Sequence, residues 1–181
     1  DKVSMHILYN FGIFIYRYLV FIASIFDEKI DKLWVGQKQG LEILKEKIDP
    51  NSSYVWIHAA SLGEFEQGRP LIESIKKEHQ EHKILLTFFS PSGYEVRKNY
   101  PIADIICYLP MDTPLNALRF VKLVQPQVAI FIKYEFWANY LFWLKKNKVK
   151  TYVISAIFRK EQAFFRWYGK WYRSLLKNFE I

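Results

Sequence analysis

Beyond position 53 the chain repeats one pattern: a short apolar run, a turn, then a longer stretch with helical spacing. The runs 54–58, 83–88, 104–109, 128–132 and 150–154 predict strands, and the stretches 64–77, 93–99, 114–124, 136–146 and 162–177 predict helices. Turn signals separate them at Ser90-Pro91-Ser92-Gly93, at Pro110 and at Gln125-Pro126. Strands that alternate with helices imply right-handed crossovers. The expected fold class is therefore α/β, a Rossmann-like parallel sheet with helices on both faces. No internal repeat or low-complexity linker interrupts the pattern.

The front of the chain follows a different rule. Residues 7–26 are almost continuously apolar, and as a helix they would span about 30 Å, enough for a bilayer core. Arg17 falls near the centre, where a charge costs roughly 2.5–3.5 kcal/mol, and Asn10 and Gly12 weaken a span further. There is no small-residue cleavage site of the kind that ends a signal peptide. Three arrangements compete: an anchor or interfacial helix, a core helix packed on the domain, and an unaided span. The stretch 27–34 is charged and ends in Trp34, as expected at a headgroup boundary. The expected organisation is a membrane-anchoring or interfacial region over 1–34, followed by a Rossmann-like domain over 35–181.

The 181 residues suffice for one domain with a real core plus an appendage, and 51% hydrophobic and 18% aromatic content excludes a disordered chain. A formal charge of +8 favours an anionic partner. No zinc-ligand spacing, RNA-binding signature or basic recognition helix is present, so nucleic acid is not an expected partner. Basic residues scattered among Trp, Tyr and Phe suit a membrane–water interface instead. Cys107 is the only cysteine, so no internal disulfide is possible and a cytosolic redox setting is expected. Its place in a strand marks it as a small buried core residue. Neither G-x-G-x-x-G nor a P-loop appears.

Candidate chemistry gathers at the strand ends. His58-Ala59-Ala60-Ser61-Leu62-Gly63-Glu64 bridges the first strand and its helix, where open α/β sheets place ligands. Glu64 near a helix start is either a general base or a carboxylate that complements the helix dipole. Ser61 with Glu64 also fits a capping box. Gly63 permits close backbone approach, and His58 is either a hydrogen-bonded structural histidine or a participant. Ser90, Ser92 and Gly93 form either an anion-holding turn or an ordinary cap. Asp112 follows the third strand, where capping alone would explain it. Glu135, after the fourth, is a second carboxylate on the same edge.

These blocks resemble, in order, those of the Kdo transferases (3-deoxy-D-manno-octulosonic acid transferases), the lipid A glycosyltransferases of Gram-negative bacteria. The family's H-A-x-S-x-G-E block is HAASLGE at 58–64. Its T-P-T/S-G block resembles 90–93, its P-x-D-x-P block matches 110–114 with Arg119-Phe120 following, and its E-x-E-L/I-W-P-N block resembles 133–139. Lys133 stands for the first Glu of that last block and Ala138 for its Pro.

The resemblance implies the N-terminal, acceptor-binding domain of a GT-B enzyme at the cytoplasmic face of the inner membrane. The reaction implied is an inverting transfer of Kdo from CMP-Kdo to a lipid A precursor, with no metal and no cofactor. Glu64 would deprotonate the acceptor hydroxyl and Glu135 would support the site as the second catalytic carboxylate. His58, Ser61, Gly63, Ser90, Ser92, Gly93 and Asp112 would line it on the acceptor side. The basic balance would meet a phosphorylated lipid on an anionic membrane surface. The donor-binding C-terminal domain is expected to be absent from this chain, and the isolated chain is expected not to transfer sugar. Two alternatives remain: a non-catalytic membrane-associated module that binds anions or lipid, and a GT-B transferase with another lipid acceptor.

Overall fold

The computed structural model describes residues 2–155 and 170–179. Five strands form one parallel sheet: β1 (Ser53–Ala59), β2 (His82–Phe88), β3 (Ile105–Tyr108), β4 (Val128–Ile132) and β5 (Lys150–Ile154). Their order is β3-β2-β1-β4-β5, so β1 is central and pairs with β2 on one side and β4 on the other. The chain builds outward from β1 to β3, then crosses back to add β4 and β5. The reversal leaves a crevice at the carboxyl ends of β1 and β4.

Helices cover both faces, which is why β1 is buried from Tyr54 to Ala59 and reads as an unbroken apolar run. On one face α3 (Leu62–Glu78) and α4 (Pro91–Arg97) pack on Val55, Ile57, Ile84, Leu86, Ile130 and Ile132. On the other, α5 (Pro114–Val124) and α6 (Ala138–Lys146) close over Tyr54, Trp56, Leu85, Ala129 and Phe131. Cys107 is fully buried on this second face, as its strand position predicts, and burial pushes its thiol up to about 12. Of the last expected helix, residues 170–176 form α7 (Lys170–Leu176); 162–169 lie outside the described residues.

Three expected helices start elsewhere. Helix α3 begins at Leu62, two residues before Glu64, and α4 begins at Pro91. Helix α6 begins at Ala138, because 133–137 forms a tight loop in which Phe136 N donates to Tyr134 O.

Helix α2 (Glu28–Lys47) carries no clear sequence signal, and it runs unbroken through positions 34 and 35. Asp27 caps it by accepting from Ile30 N at 3.0 Å. Its buried stripe is Leu33, Gly36, Gln37, Gly40 and Leu44, in which glycines and a glutamine blur the apolar period. Gly40 is required by packing: a side chain there would strike the Tyr108 carbonyl, so α2 rests directly on the end of β3.

Helix α1 (Lys2–Ser24) lies on the surface of this assembly. Ile13 and Val20 are buried, while Ile7, Leu8, Phe11, Tyr18 and Leu19 are each more than half exposed. It is long and apolar enough to cross a membrane, with mean hydropathy 1.5 over Val3–Ser24. Asn10, one of the residues that weaken a spanning pattern, faces the domain, as do His6 and Tyr9. Asn10 and His6 bond Asn139 at 2.8 and 2.9 Å, and Tyr9 bonds Asp112 at 2.6 Å.

Candidate active site at the carboxyl edge of the sheet

Parallel pairing brings every strand's carboxyl end to one edge, and the four expected blocks lie there together. Ala60 O accepts from Ser90 N at 2.8 Å, tying the loop after β1 to the loop after β2. Gly93 lets that approach happen, since a side chain there would overlap Phe88 and lie 3.1 Å from the Ser61 carbonyl carbon. Ser90 and Ser92 bond each other at 2.7 Å. Phe89 stacks on Trp137 at 5.0 Å, joining this loop to the one after β4.

Glu64 is the third residue of α3 and half-buried at the crevice between β1 and β4. The expected capping box does not form. Ser61 is the N-cap residue, yet its hydroxyl makes no bond to a backbone N–H and donates to Glu64 Oε2 instead. The other oxygen, Oε1, lies 4.0 Å from Lys133 Nζ. A hydroxyl donor and a nearby cation hold the carboxylate in one orientation while Gly63 beside it stays exposed.

Lys133 has φ 64, the left-handed region that non-glycine residues rarely occupy. Its N–H donates to Ile154 O at 2.8 Å, and the turn it starts carries Glu135 back toward His58. Backbone strain of this kind concentrates at functional loops.

His58 is fully buried, on the face opposite α3, and joins a chain of polar contacts. Trp56 Nε1 donates to Thr87 Oγ1 at 2.8 Å, and Thr87 Oγ1 meets His58 Nδ1 at 2.9 Å. On its other side His58 Nε2 lies 3.4 Å from Glu135 Oε2, which also accepts from Trp137 Nε1 at 2.9 Å. Trp137 Nε1 also lies 3.3 Å from His58 Nε2, so the indole N–H is shared between the imidazole and the Glu135 carboxylate. His58 therefore lies fully buried beneath Glu135, with its imidazole against the carboxylate. Thr87, Trp137 and Lys133 contact the candidate residues although the sequence pattern gave them no role. Thr87 is the one polar residue in the buried part of β2, which was a usable signal.

Asp112 stands apart from these groups. Thr113, not Asp112, caps α5, accepting from Asn116 N at 3.2 Å. The Asp112 carboxylate is 1% exposed and accepts from Asn139 N and Tyr140 N at 3.0 Å each, capping α6 from a distant segment. Burial pushes it up to about 7, against the opposing pull of Tyr9 and the two backbone donors. Its place here is a bracket joining α1, α5 and α6. His79, Glu81 and His82, whose ligand atoms lie within 4.8 Å of one another, sit at the start of β2, at the opposite end of the sheet from Glu64.

Residues 35–181 match the sequence model of the family described as 3-deoxy-D-manno-octulosonic-acid transferase (kdotransferase). The chain is 35% identical over 106 residues to a 3-deoxy-D-manno-octulosonic acid transferase of Aquifex aeolicus, an alignment covering 58% of this chain and 29% of that protein. It is 31% identical over 108 residues to the transferase of Haemophilus influenzae, covering 59% and 25%. For that of Chlamydia muridarum it is 27% over 139 residues, covering 76% and 32%. The chain thus matches about a quarter to a third of the length of these curated relatives.

Proposed function

Because the chain belongs to the 3-deoxy-D-manno-octulosonic-acid transferase family through residues 35–181, we propose that it is the acceptor half of a glycosyltransferase. The reaction is transfer of Kdo from CMP-Kdo to a lipid A precursor in lipopolysaccharide biosynthesis. One observation carries the assignment of roles: Glu64 stands at the switch between β1 and β4, one oxygen bonded by Ser61 and the other facing Lys133.

In this reading Glu64 takes the proton from the acceptor hydroxyl. The freed oxygen forms a bond to the anomeric carbon of Kdo from the face opposite CMP. The bond from that carbon to the CMP phosphate oxygen breaks, and CMP leaves with the electron pair. The sugar passes through an oxocarbenium-like state, as in glycoside chemistry, and its configuration inverts. Ser61 keeps the base oriented and Lys133 supplies the positive charge at the edge. Glu135, steadied by His58 and Trp137 at the same carboxyl edge of the sheet, positions the acceptor in this reading. Donor binding belongs to a second domain of the GT-B architecture, which faces this edge across a cleft.

Helix α1 supports a place for this chemistry at the cytoplasmic membrane surface. Its outer face is apolar, its His6, Tyr9 and Asn10 bond the domain, and the chain is basic. A helix lying in the interface would bring the acceptor's headgroup to the domain.

The test is transfer from CMP-Kdo to a lipid A precursor by a polypeptide carrying this domain and a donor-binding half, wild type against Glu64→Gln. Loss of about 10²–10⁴-fold in kcat in a folded variant is expected for a general base. Retained activity overturns Glu64 as the base. Absence of wild-type transfer overturns the acceptor.

A further inference from the structure

Arg17, Lys38 and Arg119 converge on a cavity of about 230 Å³ between α1, α2 and α5. Among the described residues none of the three has a carboxylate partner. The one acid lining the cavity, Glu42, is engaged by Lys45 at 2.7 Å. Two of the cations are held by an aromatic ring instead: Arg17 lies 5.7 Å and Lys38 4.9 Å from the centroid of Trp34. Gln37, also in the lining, is only 5% exposed, and its side-chain amide nitrogen has no hydrogen-bond partner. A buried amide donor is ordinarily satisfied, because leaving it unpaired is costly. Uncompensated cations beside an unpaired donor suit an acceptor-rich anion.

Size and position narrow the class. The space is below the roughly 300–1,000 Å³ of pockets that enclose a whole drug-sized ligand, so it fits a headgroup group and not a sugar nucleotide. Guanidinium and ammonium donors together suit phosphate oxygens. Arg17 reaches the cavity from α1, whose opposite face is the bare apolar one, so an anion held there lies at headgroup level when α1 lies in the bilayer surface. Met111, in the segment leaving β3, lines the same cavity, which therefore reaches the carboxyl end of the sheet. The charge that interrupts the apolar front helix thereby gains a purpose.

We propose that this cavity is a phosphate subsite that takes the phosphomonoester of a membrane lipid headgroup and holds it next to the acceptor edge. The inference rests on the membrane-surface acceptor reading above, but its readout does not require catalysis.

The test is flotation of the full chain with phosphatidylcholine vesicles doped with phosphatidic acid, against vesicles of equal charge doped with phosphatidylserine. Lys38→Gln/Arg119→Gln removes two exposed cations of the cavity. Lys77→Gln/Lys145→Gln removes the same charge on α3 and α6. The cavity variant is expected to bind phosphatidic acid vesicles about tenfold more weakly or worse, with the control variant within about twofold of wild type. Glycerol 3-phosphate, titrated by calorimetry, separates the sources. Binding that the cavity variant loses assigns the site to the phosphate group itself. Loss confined to vesicles assigns it to the headgroup in a bilayer. A folded cavity variant that binds like wild type, or a control that loses as much, overturns the proposal. Glu64→Gln is expected to bind these vesicles like wild type, so failure of the transferase reading and failure of this one are distinguishable.

Discussion

Tyr9 donates its phenolic proton to Asp112 across 2.6 Å, and this bond joins the apolar front helix to the interior of the sheet domain. The same carboxylate caps α6 through Asn139 N and Tyr140 N. One buried side chain thus orients both the helix proposed to meet the membrane and the helix that follows the Glu135 loop.

Asp112→Ala is expected to destabilise the chain by about 3–5 kcal/mol, since it strands two buried backbone donors and a phenol in one step. Tyr9→Phe removes one bond and is expected to cost about 1–2 kcal/mol. Urea unfolding followed by circular dichroism measures both. Equal effects would mean that Asp112 does not serve as a common bracket.

Asp112 also predicts a pH dependence. Its folded value, about 7, lies above the ordinary carboxylate range, so the folded chain holds this proton more tightly than the unfolded chain. Its contribution to stability is therefore greatest below about pH 4 and is lost as pH rises toward 7. The stability of wild type minus that of Asp112→Asn should fall across that window. A difference that rises with pH would show that the carboxyl is held low rather than high.

Lys133 and Ser61 are expected to separate stability from activity. Lys133→Gly relieves a left-handed residue and should leave stability equal or higher by up to about 1 kcal/mol, while transfer activity falls with loss of the cation beside Glu64. Ser61→Ala should lower kcat by about tenfold, less than Glu64→Gln, because it removes orientation and leaves the base. These are read from steady-state kinetics and thermal unfolding of the same preparations. A destabilised Lys133→Gly with full activity would reverse the assignment.

The outer face of α1 is expected to carry bilayer binding without carrying stability. Phe11→Ser/Leu19→Ser changes two residues that are 61% and 56% exposed, so unfolding should shift by no more than about 0.5 kcal/mol. Binding to anionic vesicles should fall by more than about tenfold, since each side chain contributes roughly 1.5–3 kcal/mol when buried in the acyl boundary. Unchanged flotation would remove α1 from the membrane contact.

Much of this molecule was legible along the chain. All five strands lie at or within a residue or two of their expected bounds, because a strand buried on both faces must be continuously apolar and its ends are marked by turn residues. Parallel pairing then dictates that Glu64, Ser90 and Glu135 share one edge, and the ordered blocks name the family. Local periodicity carried these features, so a linear reading recovered them.

What tertiary structure decided depends on partners distant in sequence. Helix α2 blurs its stripe with Gln37 and with Gly36 and Gly40, glycines that allow close approach to β3 and add no hydrophobic signal. Asp112 caps α6 from 27 positions away instead of the helix beside it. His58 serves Glu135 from beneath, through contacts with Thr87 and Trp137 that no spacing encodes. His6, Tyr9 and Asn10 of α1 lie on one side because Asn139 and Asp112 are there to receive them. Apolar burial is written residue by residue, whereas the partner of a buried polar group exists only once the chain has folded around it.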